Sequence, residues 1–314
     1  MDQNLLPRLG IPAAFRELVT ASWFDRHPTL YGRMDFAFDG VGAPKLLEYN
    51  ADTPTGLLEA AVVQWDWLQD TRPGADQFNS LHEKLIARFG SIMPPGALVH
   101  VASASHESSP EDYGTARYLG DVALQAGAGE LVLIGMEDIG APGREPYFID
   151  RTPRKIENLF KLYPWEWLFA EEFAFEIAPR PETGWLEPPW KAMLSNKGLL
   201  ALMWERFPRH PNLLATFETA AEFGSKPYVV KPVHSREGAN IEIRNLAEAI
   251  ATPGPYTGPV VYQEYAPLYT ADGVHAVIGS WVVGNQPAGL GIREDAGVVT
   301  TNASRFVPHF FTPA

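Results

Sequence analysis

Four side chains in the first sixth of this 314-residue chain have the types and spacing to hold a metal-bound phosphate. In PKLLEYNADTPTG, Glu48 and Asn50 lie two apart; in LYGRMDFAFDG, Arg33 and Asp35 repeat that spacing. Residues i and i+2 of an extended chain face the same side. Each segment therefore presents two polar groups on one face, with Tyr49 buried on the other. Paired as a hairpin through the Asp39-Gly40 turn region, the two strands would gather Asp35, Glu48 and Asn50 around Mg2+, with Arg33 beside it for phosphate. Magnesium takes oxygen ligands, needs few carboxylates and leaves room for water and phosphate oxygens. The same pattern also fits an antiparallel hairpin whose polar face is merely wet.

A second group lies in the rear half. Lys231 ends the apolar run Tyr228-Val229-Val230 and precedes the loop VHSREGAN, which contains Gly238. A strand-end lysine followed by a flexible loop suits a triphosphate: the lysine neutralises charge and the loop offers backbone N–H donors. Lys197, opening a helical segment, would give a second phosphate contact. Gln263, Glu264 and Tyr265, at the end of VVYQEYAPL, can read a purine through the backbone and hold a ribose hydroxyl. Thr53-Pro54-Thr55 precede a helical run from Gly56 to Leu68, which places hydroxyls and free N–H groups where an anion binds well. A Walker loop, a kinase motif set, G-x-G-x-x-G and H-E-x-x-H are all missing. His82, His106, His234, His275 and His309 are scattered, as expected of surface or capping residues.

The elements that must position these groups alternate between the two periods. Helical spacing covers 13–24, 56–68, 79–89 and 113–126, and ALVHVA (97–102) and 131–134 read as strands. The strand–loop–helix–strand run predicts a mixed α/β fold with a partly parallel sheet. From Leu194 a helix is followed by segments that read as antiparallel strands, and a boundary is expected near residue 185. The hydrophobic fraction is 46% and the charged fraction 20%, which suits a folded enzyme rather than a disordered chain. A net charge of −13 argues against a sequence-independent nucleic-acid binder. The absence of cysteine removes disulfides, thiolate metal sites and thiol nucleophiles. The start MDQNLLPRLGIP lacks the pattern of a signal peptide, and no run of 18 apolar residues is present. A cytoplasmic location and no membrane partner are expected.

Together these segments resemble the synthetase domain of the glutathionylspermidine synthase family. The likeness runs through YGRMDFAFDG, LLEYNADTPTG, PWEWL, PWKAMLSNKGLLALMWERFP, YVVKPVHSREGANIEI and GLGIREDAGVVTTNASRFVPHF. It implies an ATP-grasp fold in permuted order: a pre-ATP-grasp-like α/β module (1–185) with the metal and substrate residues, then nucleotide-binding lobes (186–314). The activity implied is an ATP-dependent carboxylate–amine ligase acting through an acyl phosphate, with small-molecule substrates and Mg2+. Asp35, Glu48 and Asn50 match the metal ligands, and Arg33 and Arg293 the catalytic arginines. Arg33, Lys197, Lys231, Gly238 and Gln263-Glu264-Tyr265-Ala266 match the ATP site. Thr53, Thr55, Glu111 and Asp112 match substrate contacts. Arg305 stands where the family has an acidic residue thought to attract a polyamine, which argues against spermidine. The amidase domain of bifunctional members is absent, and the chain starts later than the relatives, so either a short form or a misplaced start is expected. The competing interpretation of the same residues is a paralogue that binds ATP and ligates nothing.

Overall fold

A computed structural model describes residues 5–104 and 109–312; His106 falls outside them. After a helix at Arg16–Phe24 (α1), the predicted hairpin forms from β1 (Tyr31–Ala37) and β2 (Lys45–Asn50), with Arg33 opposite Asn50 and Asp35 opposite Glu48. Residues opposed in an antiparallel pair share a face, so the four polar side chains converge. Met34, Phe36 and Leu46 alternate to the other face and line an apolar hollow with Met203, Ile278 and Leu290. The register slips after Asp35, leaving Leu47 as the extra residue of a bulge.

The helical run after Thr55 opens as a π-helix at Glu59–Val63, continues as α2 (Gln64–Thr71) and is followed by α3 (Leu81–Ile92). Next come β3 (Leu98–Ser103), α4 (Pro110–Gln125), β4 (Glu130–Gly135), β5 (Asn158–Leu162), the short α5 (Trp165–Leu168) and β6 (Gly184–Leu186). These strands form a four-stranded parallel sheet in the order β4-β3-β5-β6, and α4 makes the crossover between its first two members. The expected α/β unit is thus present.

Beyond α6 (Gly198–Arg206) lie β7 (Tyr228–Pro232), β8 (Glu242–Arg244) and β9 (Val260–Glu264), the centre of a five-stranded antiparallel sheet. The long strands β10 (Val274–Val283) and β11 (Gln286–Asp295) then join β12 (Arg305–Val307) and the early hairpin in one sheet of order β12-β11-β10-β1-β2, with Tyr269–Ala271 added to β10. That sheet spans the expected division near residue 185, because β1 pairs directly with β10 from Tyr31–Val283 to Phe36–Ile278. On the same face as Arg33, Tyr31 and Trp281 pack against Leu57, Leu85, Phe89 and Leu119. A second cluster surrounds Trp165, Phe148 and Trp190, and a smaller one joins Val229, Ile241 and Ile243. Among the described residues no helix is long and apolar enough to cross a membrane.

Candidate active site

On the polar face of the hairpin, Arg33 grips Asp35 with two hydrogen bonds, Nε to Oδ1 at 2.6 Å and Nη2 to Oδ2 at 2.9 Å. Its third arm donates to the Thr55 carbonyl, and the guanidinium carbon lies 5.5 Å from the Trp281 ring centroid. Gly279, opposite Asp35 on β10, makes the room: a Cβ there would fall 2.8 Å from Arg33 Cδ. The Asn50 amide donates to Asp35 Oδ2 and to Glu48 Oε1, both at 3.0 Å. Tyr49 points to the opposite face, half-buried rather than buried, with Lys191 Nζ 5.6 Å from its ring centroid.

Two lysines approach from the rear half. Lys197, at the N-terminal end of α6, pairs with Glu48 Oε2 at 3.0 Å and donates to the Ser235 carbonyl. Lys231 donates to Gln263 Oε1 at 2.6 Å and to the Leu47 carbonyl at 3.0 Å. Leu47 is the bulge residue, so the register slip places its carbonyl where a lysine can use it. Burial alone would raise Glu48, but Lys197, Lys231 and the Asn50 hydrogen bond hold its carboxyl down at about 2. Burial pushes Lys231 down to about 8, with Lys197 adding repulsion and Glu48 opposing both. Asp35 goes the other way: burial lifts it above the usual carboxylate range, Arg33 pulls it back, and Glu48 raises it again. Two adjacent carboxylates, one of them strained upward by burial and like charge, make a setting that a divalent cation would relieve.

The donor set fits magnesium. Among the described residues, no group of three or more His, Cys, Asp or Glu side chains could hold a metal. The set reaches three only by including the Asn50 amide, whose oxygen can replace its NH2 by a flip. Two carboxylates and one amide are few, hard ligands, as a magnesium ion shared with phosphates requires.

This cluster sits where two cavities meet. The first is walled by apolar side chains, among them Val229, Ile241, Ile243, Val277 and Val299, and is edged by Glu264, Tyr265 and Ala266. Lys197, Lys231, Asp35 and Glu48 lie in its lining. An apolar cavity leading to lysines and carboxylates suits a purine nucleotide. Gln263 does not line it; the side chain is buried, accepts from Lys231 and donates to the Leu46 carbonyl at 3.1 Å. The second cavity is polar and brings together Arg33, Asn50, Thr53, Thr55, Asp112 and Arg293. Asp35, Glu48, Gly238 and Thr300 belong to both.

Arg236 is the functional candidate that spacing alone did not identify. It projects from the VHSREGAN loop into the second cavity, donates to Thr53 Oγ1 at 2.8 Å, pairs with Glu166 and stacks 5.7 Å from the Trp167 ring centroid. Its position two residues before Gly238 was the available signal. The PWEWL segment divides: Trp165 is fully buried, while Trp167 is 46% exposed and lines the cavity. Glu111 and Asp112 occupy the first turn of α4, where acidic residues also favour the helix dipole. Asp112 reaches the second cavity; Glu111 is exposed and outside its lining. The protein around it still desolvates the Glu111 carboxyl in part and raises it, and the charges of Glu59, Asp112 and Glu237 add to that. Arg305 lies on the sheet edge, where it pairs with Glu294 at 2.7 Å.

Residues 1–312 match the family model described as glutathionylspermidine synthase preATP-grasp. A Haemophilus influenzae protein named as an acid–amine ligase is 44% identical over 311 residues, covering 95% of this chain and 78% of its own length. The bifunctional glutathionylspermidine synthetase/amidase of Escherichia coli is 28% identical over 336 residues, covering 98% of this chain and 53% of that protein. The chain therefore spans about half the length of that second relative. Among solved structures, a glutathione synthetase-like effector (GSS30) of Globodera pallida superposes with a TM-score of 0.57 over 98% of this chain and 84% of that one. At 11% identity this likeness speaks to the fold, which is of the ATP-grasp type. The chain belongs to the glutathionylspermidine synthase family of acid–amine (C–N bond-forming) ligases.

Proposed function

We propose that this chain joins a small-molecule carboxylate to an amine at the expense of ATP, through an acyl phosphate, in the cytoplasm. The observation that carries this reading is the junction of an apolar, lysine-ended cavity with an arginine-lined one at Asp35, Glu48, Gly238 and Thr300. A nucleotide in the first and a carboxylate in the second would meet at that neck. Tyr265 and Ala266 would bound the purine, Glu264 would hold ribose, and Lys197 and Lys231 would take phosphate oxygens. Asp35, Glu48 and Asn50 would hold Mg2+, which supplies charge neutralisation to the phosphates when bound.

A donor carboxylate oxygen attacks the γ-phosphorus of ATP; the bond to ADP breaks and an acyl phosphate forms. Arg33 and Arg293 offset the negative charge that spreads over the transferring group. Thr53, Thr55 and Arg236 orient the donor. The acceptor amine then attacks the acyl carbon, phosphate leaves and the amine surrenders a proton. Asp112 faces the cavity and favours a cationic acceptor, with Glu111 nearby. The VHSREGAN loop closes over the neck and keeps water from the acyl phosphate.

Substrate-dependent ADP release, measured over a panel of carboxylates that includes glutathione, tests the reading. Hydroxylamine added as acceptor should yield a hydroxamate, and an Asp35→Asn, Glu48→Gln double variant should make neither ADP nor hydroxamate. ADP without hydroxamate would point to a phosphotransferase, and unchanged turnover in the double variant would refute the metal assignment.

A further inference from the structure

Arg293 lines the second cavity from the last part of β11, and among the described residues its guanidinium is held by a backbone group rather than by an ion pair with a carboxylate. Nη2 donates to the Thr301 carbonyl at 2.6 Å. Thr301 lies in the loop between β11 and β12, and what fixes that loop is a pair of side chains at its two ends. Asp295 closes β11 and accepts the Gly297 N–H on Oδ1 at 2.9 Å; its Oδ2 accepts the Ser304 hydroxyl. The same Ser304 oxygen accepts the Thr301 N–H at 2.7 Å, and the Ser304 N–H returns to the Thr301 carbonyl at 3.1 Å. One hydroxyl therefore donates to Asp295 and receives from Thr301. It connects the carboxylate to the residue whose carbonyl holds Arg293.

The middle of the loop is bound to the nucleotide side. Val298 and Val299 pack on Val229, Ile241 and Ile243, and both line the first cavity. Thr300 borders both cavities, and its carbonyl rests against Gly238: a Cβ on Gly238 would collide with that oxygen. Gly238 also has φ +71°, a conformation that L side chains rarely adopt. The loop is thus the surface on which the glycine loop rests when it covers the neck.

We infer that Asp295 and Ser304 are positioning residues: through Thr301 they aim Arg293 at the transferring phosphoryl group, and through Thr300 they present the seat for Gly238. The inference rests on the ligase reading for Arg293's role. Asp295 is suited to the task, since the Ser304 and Gly297 hydrogen bonds hold its carboxyl below the usual range and keep it an acceptor. Neither residue lines either cavity, so neither touches substrate.

The test compares Ser304→Ala, Ser304→Thr and Asp295→Asn with the wild type. Donor-dependent ADP release should show kcat lowered about tenfold in Ser304→Ala, with KM for ATP within about twofold, because an arginine used only in the transition state was misaimed. Ser304→Thr, which keeps the hydroxyl, should recover most of that loss; a merely structural role would not separate kcat from KM in this way. The second readout needs no donor: the Arg293 Nε–H resonance with Mg2+ and a non-hydrolysable ATP analogue should be single and sharp in the wild type and Ser304→Thr. It should broaden or shift in Ser304→Ala and Asp295→Asn. Wild-type kcat in Ser304→Ala, or an unchanged Arg293 resonance in both deficient variants, overturns the inference. If no carboxylate elicits ADP from the wild type, the ligase reading fails, while the Arg293 resonance still decides whether the clasp exists.

Discussion

Lys231 shows how one residue can be legible in sequence for its type and illegible for its state. Its place at a strand end marked it as a phosphate contact, but burial and the neighbouring Lys197 bring its pKa down to about 8. In the proposed function phosphate oxygens bind the protonated amine, so bound Mg-ATP should raise that pKa again. Affinity is then full below about pH 8 and falls as pH rises beyond it, approaching about tenfold per pH unit. Calorimetry at pH 8.5 in buffers of different ionisation enthalpy should register proton uptake on binding, and Lys231→Arg should flatten the profile. The fold does not weaken in that window: a lysine with a lower pKa folded than unfolded contributes stability that rises with pH between the two values. Loss of affinity with retained melting temperature would therefore belong to the lysine. Glu48, held at about 2, stays ionised throughout. Arg33-x-Asp35 and Glu48-x-Asn50 were readable because two-residue spacing fixes a face. Arg236 was not, since its partners Glu166 and Thr53 lie 70 and 183 residues away.

At the scale of elements, the site depends on buried charges that no local pattern announces. Asp52, immediately after the β2–Ala51 segment, is fully buried; it accepts from Lys161 Nζ at 2.9 Å and from the Trp165 N–H at 2.8 Å. This joins the end of the β1–β2 hairpin to β5 and α5, and so to Glu166 and Arg236. At the same open end of the hairpin, Glu187 accepts the Leu30 and Tyr31 N–H groups at 2.8 and 3.0 Å, while Lys191 donates to the Tyr31 and Ala51 carbonyls, both at 2.9 Å. The helices and strands could be read from hydrophobic periodicity because it reports which face is buried. These ion pairs interrupt that periodicity with charged residues at core positions. Removing one partner of a buried pair leaves the other without compensation, typically at about 3–5 kcal/mol. Lys161→Met should accordingly lose stability on that scale in urea unfolding, and adding Asp52→Asn should recover part of it. A Lys161→Met protein as stable as wild type would show that the pair does not anchor the hairpin.

For the molecule as a whole, the decisive arrangement is a sheet built from both ends of the chain. β1 and β2 lie beside β10, so carboxylates from residues 35 and 48 face lysines from residues 197 and 231. Sequence order set out these groups but could not bring them together, since strand pairing over such separations is a tertiary choice. Anomalous diffraction from crystals of the chain with Mn2+ and a non-hydrolysable ATP analogue tests this arrangement most directly. The account predicts one manganese peak within about 2–2.6 Å of Asp35, Glu48 and Asn50 oxygens, with the phosphates on Lys197 and Lys231 and the purine beside Tyr265. Manganese bound elsewhere, or a triphosphate that leaves those carboxylates and lysines untouched, would contradict it.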